Sequence, residues 1–398
     1  MNCLICSNPV SPFLFLGKQP IANGFLNPDQ FSQEYFFELE VAFCKLCCMV
    51  QLVNQPDREK MFHENYAFFS STSRHMADHF EDFANDVIEK YRPEFVVEIG
   101  SNDGIMLKHF AKAGIKHLGI EPSRNVAEVA RENSINTISC FFDESVARDI
   151  EEDDGQADVI LAANVMAHIS DLHSVMSGVK SLLKPTGLLI FEDPYMGDIL
   201  SKTSYDQIYD EHAFFFSLIS ISYLVNQHGM EVIDVSPQDT HGGSMRYTIA
   251  NKDKHQKNHR VKDLMLKEYM YGLDKLDTYI DFAINVTDSQ HELIDLLTKI
   301  KAEGGNIVGY AATAKSATVT NFCGIGPDFI DYICDTTPIK QGKFSPGAHI
   351  PVRPYQDFLD NPPTHALLFA WNHTQEIMEK EKDYKGKWIV YVPEVKVL

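Results

Sequence analysis

The sequence predicts an α/β protein in three parts: a small N-terminal unit stapled by four cysteines, a central doubly wound parallel sheet, and a smaller second doubly wound domain. Three observations predict it. Two C-x-x-C knuckles lie within the first 48 residues, short apolar strands alternate with helices from residue 94 to about 195, and the same rhythm resumes after Gly304-Gly305. At 398 residues the chain exceeds one ordinary core and should divide into domains. The boundaries expected are 1–65 for the cysteine unit, 66–250 for the central domain, and 251–398 for a helical bridge with the last domain.

The N-terminal unit follows from its cysteines. Five of the eight fall in the first 48 residues, and Cys3-x-x-Cys6 and Cys44-x-x-Cys47 stand 37 residues apart. Four thiolates at that spacing close a tetrahedral zinc site. Disulfides are the competing reading, disfavoured in a reducing compartment. Four sulfur ligands leave no open coordination position, so the zinc is expected to hold the fold and do no chemistry. Cys48 is spare.

The central domain is read from alternation. "SSTSRHMADHFEDFANDVIEK" carries Ser/Thr caps ahead of apolar residues at helical spacing, which predicts a helix from about 70 to 90. "FVVEIG", "HLGIEP", "NTISC", "ADVILAANV" and "GLLIFED" read as strands, with helices in "GIMLKHFAKA", "SRNVAEVARENS" and "DLHSVMSGVKSLL" between them. Residues 195–245 add a helix and two antiparallel strands. A polar helical stretch from about 255 to 303 reads as a bridge without chemistry. "NIVGYAATAKSATVTNF", "IDYICD", "HIPVRP", "HALLFAW" and "WIVYVPE" then form the second sheet.

Composition narrows the partners. Lys plus Arg number 35 against 56 Asp plus Glu, a formal charge of -21 that repels nucleic acid and anionic membranes. An anionic substrate must therefore meet a local basic pocket. "MNCLICSNPV" lacks a positively charged segment followed by an apolar core, and no apolar run approaches about 20 residues. A cytoplasmic protein is expected.

The first turn of the central sheet carries the cofactor reading. Glu98-Ile99-Gly100-Ser101-Asn102-Asp103-Gly104 lies where a strand feeds a helix, and its glycines admit a ligand to the backbone. The loop lacks the G-x-G-x-x-G spacing of a pyrophosphate cradle. Glu121, 21 residues beyond Gly100, is positioned to accept both hydroxyls of a ribose. An acidic loop with a ribose-binding acid suits S-adenosylmethionine, whose ammonium and sulfonium are cationic, whereas Glu98 and Asp103 would repel a pyrophosphate. NAD, or a tight turn without ligand, are the competing readings.

Further stretches carry candidate chemistry. "QIYDEHAFFFS" sets a phenol, a carboxylate and an imidazole, Tyr209, Glu211 and His212, beside apolar residues that exclude water. The imidazole suits removal of a proton from a carbon next to a ketone. Asn164 and His168 lie past a later strand and share a face if the segment is helical. "THGGSMRY" offers His241 and Arg246 for anion or hydroxyl contacts, with Gly242-Gly243 a turn. In the last domain, Lys315 at a helix start, with Ser316 and Asn321, and Lys340 and Lys343 in a Pro/Gly loop, are read as the basic pocket for a diphosphate. Surface and core roles compete at each position.

Taken together, the paired knuckles, "NYAFFSSTS", "EIGSNDG", "GIEPS", "ANVMAHI", "YDQIYDEHAFFFS", "HGGSMRY", "GYAATAKSATVTNFCGI" and "DTTPIKQGKFSPGAHIPV" resemble the sugar C-methyltransferase family over nearly the whole chain. The resemblance implies a four-cysteine zinc domain, a central class I methyltransferase Rossmann-like sheet using S-adenosylmethionine, and a C-terminal Rossmann-like domain that binds the nucleotide sugar. The implied substrate is a nucleotide-linked keto-deoxysugar carried on dTDP, GDP or CDP. It also implies His212 as base, with Tyr66, Asn164, His168, Tyr209 and Glu211 around the sugar ring. Asp210 departs from relatives that often carry histidine there, and Phe214 to Phe216 replace a more tyrosine-rich run. A nicotinamide-dependent nucleotide-sugar oxidoreductase and a non-catalytic zinc-stapled nucleotide-binding adaptor are the alternative functions.

Overall fold

The knuckles open the chain's first sheet. The computed structural model describes residues 1–57, 61 and 74–398. In the N-terminal unit β1 (Ser11–Pro20), β2 (Phe36–Phe43) and β3 (Val50–Leu52) form an antiparallel sheet. One knuckle precedes β1 and the other fills the turn between β2 and β3, so 37 intervening residues supply one hairpin.

Seven strands build the central sheet: β4 (Phe95–Ile99), β5 (Lys116–Ile120), β6 (Thr137–Ile138), β7 (Ala157–Ala163), β8 (Leu183–Pro194), β10 (Met230–Gln238) and β11 (Ser244–Asn251), with β9 (Phe214–Phe215) elsewhere. Their order is β10-β11-β8-β7-β4-β5-β6, parallel except for β11, which runs antiparallel to both neighbours. Every residue of β4 is buried because helices cover both faces, which is why the strand reads as a continuous apolar run. Strand order reverses at β4, so the crevice for a ligand opens past its carboxyl end.

The C-terminal sheet repeats the plan with β12 (Ile307–Tyr310), β13 (Ile333–Asp335), β14 (Val352–Pro354), β15 (His365–Leu368), β16 (Lys387–Val390) and β17 (Lys396–Val397), in the order β14-β13-β12-β15-β16-β17. Only β17 is antiparallel within this sheet. The fold is thus α/β with a cysteine-bearing N-terminal sheet and two doubly wound sheets.

Two expectations need correction. The stretch from 255 to 303 is not one bridge: Gly272, at φ 86, ends helix His259–Tyr271 before helix Leu276–Ala302 begins. Nor is it idle. Glu268 is buried and accepts from the amides of Leu218 and Ile219 at 2.7 and 2.9 Å, capping helix Leu218–Gln227, and from the Tyr195 hydroxyl at 3.0 Å. Helix Leu276–Ala302 buries Tyr279 against Phe43 and Phe13 of the first sheet, with ring centroids 4.5 and 5.2 Å apart. Helices Glu144–Asp154 and Met196–Lys202 escape the sequence reading, the first because its acidic run hides a short buried face of Ala147 and Ile150.

The parts interlock. β9, from the "QIYDEHAFFFS" segment, pairs with β3 and so completes the first sheet. On the other side Glu34 accepts from the Gly347 amide at 2.7 Å and from His349 Nε2 at 2.6 Å, while Phe31 stacks on the His349 ring. No helix among the described residues is long and apolar enough to cross a membrane.

Candidate active site

The four knuckle cysteines converge. Their sulfurs all lie within 4.8 Å of one another, with Cys3 to Cys47 at 3.4 Å and Cys6 to Cys44 at 3.3 Å. Four sulfurs so close cannot ionise together without a cation: Cys3 beside it and burial hold the Cys47 thiol far above its usual range. The donor set and its closed geometry fit a structural zinc. Cys48 stays outside the cluster.

Past β4 the chain turns sharply. Gly100 and Gly104 take φ of 68 and 78, and Asn102 takes 49. A Cβ on Gly100 would stand 2.1 Å from Val165 and one on Gly104 2.9 Å from Ile135, so both positions need glycine. Glu121, at the end of β5, accepts the Asn102 amide at 3.0 Å and the Ser123 amide at 2.7 Å, which fixes its carboxylate against the loop. Glu98 is buried with Oε2 lacking a hydrogen-bond partner. Burial, then Asp103 and Glu121, push its carboxyl well above the usual range. A cationic ligand would relieve that cost, and the loop and acids fit S-adenosylmethionine.

A second cluster is joined to this loop through Val165, which packs against Gly100 and whose carbonyl accepts the His168 amide at 2.9 Å. The His212 ring is 4.2 Å from Tyr209 and 5.1 Å from His168, centroid to centroid. His212 Nδ1 lies 2.7 Å from the Gln207 carbonyl, which can only accept, so Nδ1 carries the proton and Nε2 is the basic nitrogen. Burial lowers the His212 pKa to about 4, so the ring is neutral at physiological pH. Burial, then Glu211 and Asp210, hold the Tyr209 phenol protonated. His168 sits on a single 3-10 turn, Met166–His168, and Asn164 adopts φ 57 with a buried Oδ1 that no donor reaches. A left-handed residue and a tight turn, not a helical face, bring this segment to the site.

The other expected residues scatter. Tyr66 lies outside the described residues. Glu211 accepts from Asn23 Nδ2 at 2.7 Å, and Asp210 accepts the Ala22 amide at 2.9 Å, so both carboxylates face the N-terminal unit. Arg246, expected to meet an anion, is spent inside the fold: it pairs with buried Glu192 at 2.8 Å and lies over Phe83. His241 takes φ 54, and its carbonyl accepts from Gln207 Nε2 and from Lys315 Nζ. Lys315 is buried, 3.2 Å from Asn372 Oδ1 and over the Trp371 ring. Lys340 Nζ donates to the Ala312 carbonyl at 2.8 Å.

The expected diphosphate cradle at helix Ala314–Phe322 is closed from within. Thr313 accepts from the Ser316 amide, Asp335 from the Ala312 amide at 2.7 Å, and a carboxylate there repels a phosphate. Asn321 lies at the far end of the same helix, donating to the Ala317 and Pro346 carbonyls, away from Lys315. A cleft of about 480 Å³ between the central and C-terminal domains is lined instead by Lys202, Gly242, Trp371, Asn372 and Lys396. Asp206 and Gln207 are functional candidates that sequence reasoning missed, as is buried Asp193, whose Oδ1 accepts the Ala167 amide and whose Oδ2 has no hydrogen-bond partner. Asp206 and Gln207 adjoin the "YDEH" run, but nothing in their identity signals burial.

Residues 239–393 match the family described as a C-methyltransferase C-terminal domain, 64–235 a methyltransferase domain, and 3–62 a zinc binding domain. C-methyltransferase NovU of Streptomyces niveus is 32% identical over 390 residues, covering 96% of this chain and 93% of that protein. A ubiquinone biosynthesis O-methyltransferase of Actinobacillus pleuropneumoniae is 28% identical over 120 residues, 29% of this chain and 50% of that one. Among solved structures, magnesium protoporphyrin IX methyltransferase of Synechocystis PCC 6803 superposes on 45% of this chain and 79% of its own, at 13% identity and a TM-score of 0.34.

Proposed function

The chain belongs to the C-methyltransferase family and is an S-adenosylmethionine-dependent methyltransferase with a zinc-binding domain, and from that premise we propose that its acceptor is a ring carbon, C-3, beside the ketone of a nucleotide-linked 4-keto-6-deoxysugar. One observation carries the reading. A neutral imidazole with its basic nitrogen fixed by a backbone carbonyl stands 4.2 Å, ring to ring, from a protonated phenol, near an acid-lined crevice suited to a sulfonium donor. Methylating oxygen needs only a base for a hydroxyl; methylating carbon needs a base and a stabiliser for the enolate oxygen, and both groups are present.

In this mechanism His212 Nε2 takes the proton from the carbon made acidic by the adjacent ketone. The Tyr209 hydroxyl donates to the enolate oxygen, and His168 and Asn164 flank the ring. Glu98, Asp103 and Glu121, with the loop Gly100 to Gly104 and Asn102, hold S-adenosylmethionine, which supplies an electrophilic methyl group when bound. Glu211, Tyr66, His241 and Lys340 are assigned supporting contacts with the substrate, whereas Arg246 and Asn321 are engaged within the fold and are assigned none. The cleft beside Trp371 offers an indole to a base, with buried Lys315 behind it; its Lys202 and Lys396 are paired with Asp198 and Glu394, partners from which a diphosphate would have to draw them. Zinc on Cys3, Cys6, Cys44 and Cys47 holds the N-terminal sheet.

The test is incubation with S-adenosylmethionine and a panel of 4-keto-6-deoxysugar nucleotides. The expected product gains one methyl by mass, and the substrate carbon exchanges its hydrogen for deuterium in heavy water. Wild-type turnover in both His212→Ala and Tyr209→Phe would refute the assigned roles.

A further inference from the structure

We propose that Asp206 is a positioning residue for His212: it ties the turn whose carbonyl fixes the base's tautomer to the C-terminal domain. The inference rests on His212 being the base. Asp206 is fully buried in the 3-10 turn Tyr205–Gln207. Its Oδ2 accepts from Trp371 Nε1 at 2.6 Å and from the Tyr391 hydroxyl at 2.7 Å, both on the C-terminal domain. Its Oδ1 has no hydrogen-bond partner; burial pushes the carboxyl above its usual range, and the ammonium of Lys315 from the same domain only partly opposes that rise.

Two side chains of one domain therefore hydrogen-bond to a single carboxylate of another. A buried charge is expensive and is not needed merely to fill space, where an apolar residue of similar volume serves as well or better. What this charge holds is the adjoining chain. Gln207 gives its carbonyl to His212 Nδ1 at 2.7 Å and its side-chain amide to the His241 carbonyl. The Ile208 carbonyl accepts from Thr318 Oγ1 at 2.8 Å, a second tie to the C-terminal domain. The segment from 205 to 208 thus hangs from that domain, and the base hangs from the segment. When the turn shifts, Nδ1 loses its acceptor, and the ring is free to carry its proton on Nε2, where it cannot act as base. Trp371 also walls the cleft beside Gly242, so occupancy of that cleft bears on the same carboxylate.

The experiment assays Asp206→Ala, Asp206→Asn, Trp371→Phe and Tyr391→Phe with S-adenosylmethionine and a keto-sugar nucleotide that the wild type turns over. Expected are a fall in kcat of at least tenfold in Asp206→Ala with KM for S-adenosylmethionine within twofold, slower deuterium wash-in at the acidic carbon, partial recovery in Asp206→Asn, and a smaller kcat loss in Tyr391→Phe. Wild-type kcat in Asp206→Ala, or a loss confined to KM, overturns the proposal. Should Asp206→Ala fail to fold, full kcat in both Trp371→Phe and Tyr391→Phe overturns it. His212→Ala run beside them separates the two layers: full activity there sinks the assignment of the base, whereas an inactive His212→Ala with a wild-type Asp206→Ala sinks only this inference.

Discussion

His212 shows how much one backbone contact can decide. Its pairing with the Gln207 carbonyl leaves Nε2 basic, and burial lowers its pKa from the ordinary 6.5 to about 4. A base works only when deprotonated, so activity should persist as pH falls through 6.5 and be lost only on approach to 4. A pH profile of kcat/KM, with circular dichroism confirming an intact fold, checks this; an acid limb near 6.5 contradicts it. His212→Ala should lower kcat by roughly 10² to 10⁴-fold, the usual span for a general base. Glu121 gives a second residue-scale prediction. Glu121→Gln turns an acceptor of two amides into a group with one N–H facing an N–H, so KM for S-adenosylmethionine should rise roughly tenfold or more. Steady-state kinetics with the donor varied will show it.

Elements set where these residues stand. The loop after β4 needs positive φ at Gly100 and has no room for a methyl beside Val165, so Gly100→Ala should cost about 1–3 kcal/mol of stability in urea unfolding, along with donor binding. β9 is two residues long, yet it carries the end of the base-bearing segment into the first sheet by pairing with β3. The second knuckle lies between β2 and β3, so loss of the metal should loosen β3 and then β9. Stripping metal with a chelator, or Cys44→Ser, should lower Tm by roughly 5 °C or more and reduce zinc content by mass spectrometry. An unchanged Tm with the metal gone would show that packing alone holds the sheet.

At the scale of the whole molecule, the segment 205–212 is gripped from two sides. Asp210 and Glu211 face the N-terminal unit through Ala22 and Asn23, while Asp206 and Ile208 face the C-terminal domain. The Asp210 departure thereby gains a physical role, as a carboxylate that accepts a backbone amide of the neighbouring unit. The outer domains also clasp one another through Glu34, which is nearly buried and satisfies both Gly347 and His349. Glu34→Ala leaves the half-buried Gly347 amide unpaired and should cost about 1 kcal/mol, with faster hydrogen exchange around 344–349. Equal exchange in both proteins would show the clasp to be incidental.

Local chemistry in the sequence determined the two doubly wound sheets, the four-cysteine cluster, the glycine loop and the acid at Glu121, because each depends on short-range spacing or on strand periodicity that survives in one dimension. It also marked Tyr209 and His212 as neighbours. Tertiary structure alone decided that Arg246 is neutralised by Glu192, that the Ala312 amide ahead of helix Ala314–Phe322 is taken by Asp335, and that Glu268 caps a helix 50 residues upstream. It decided likewise that Asp206 meets Trp371 and Tyr391, 165 and 185 residues away. A side chain's charge or hydrogen-bonding capacity is written in its identity, but which partner uses it depends on chain crossings that no local pattern encodes.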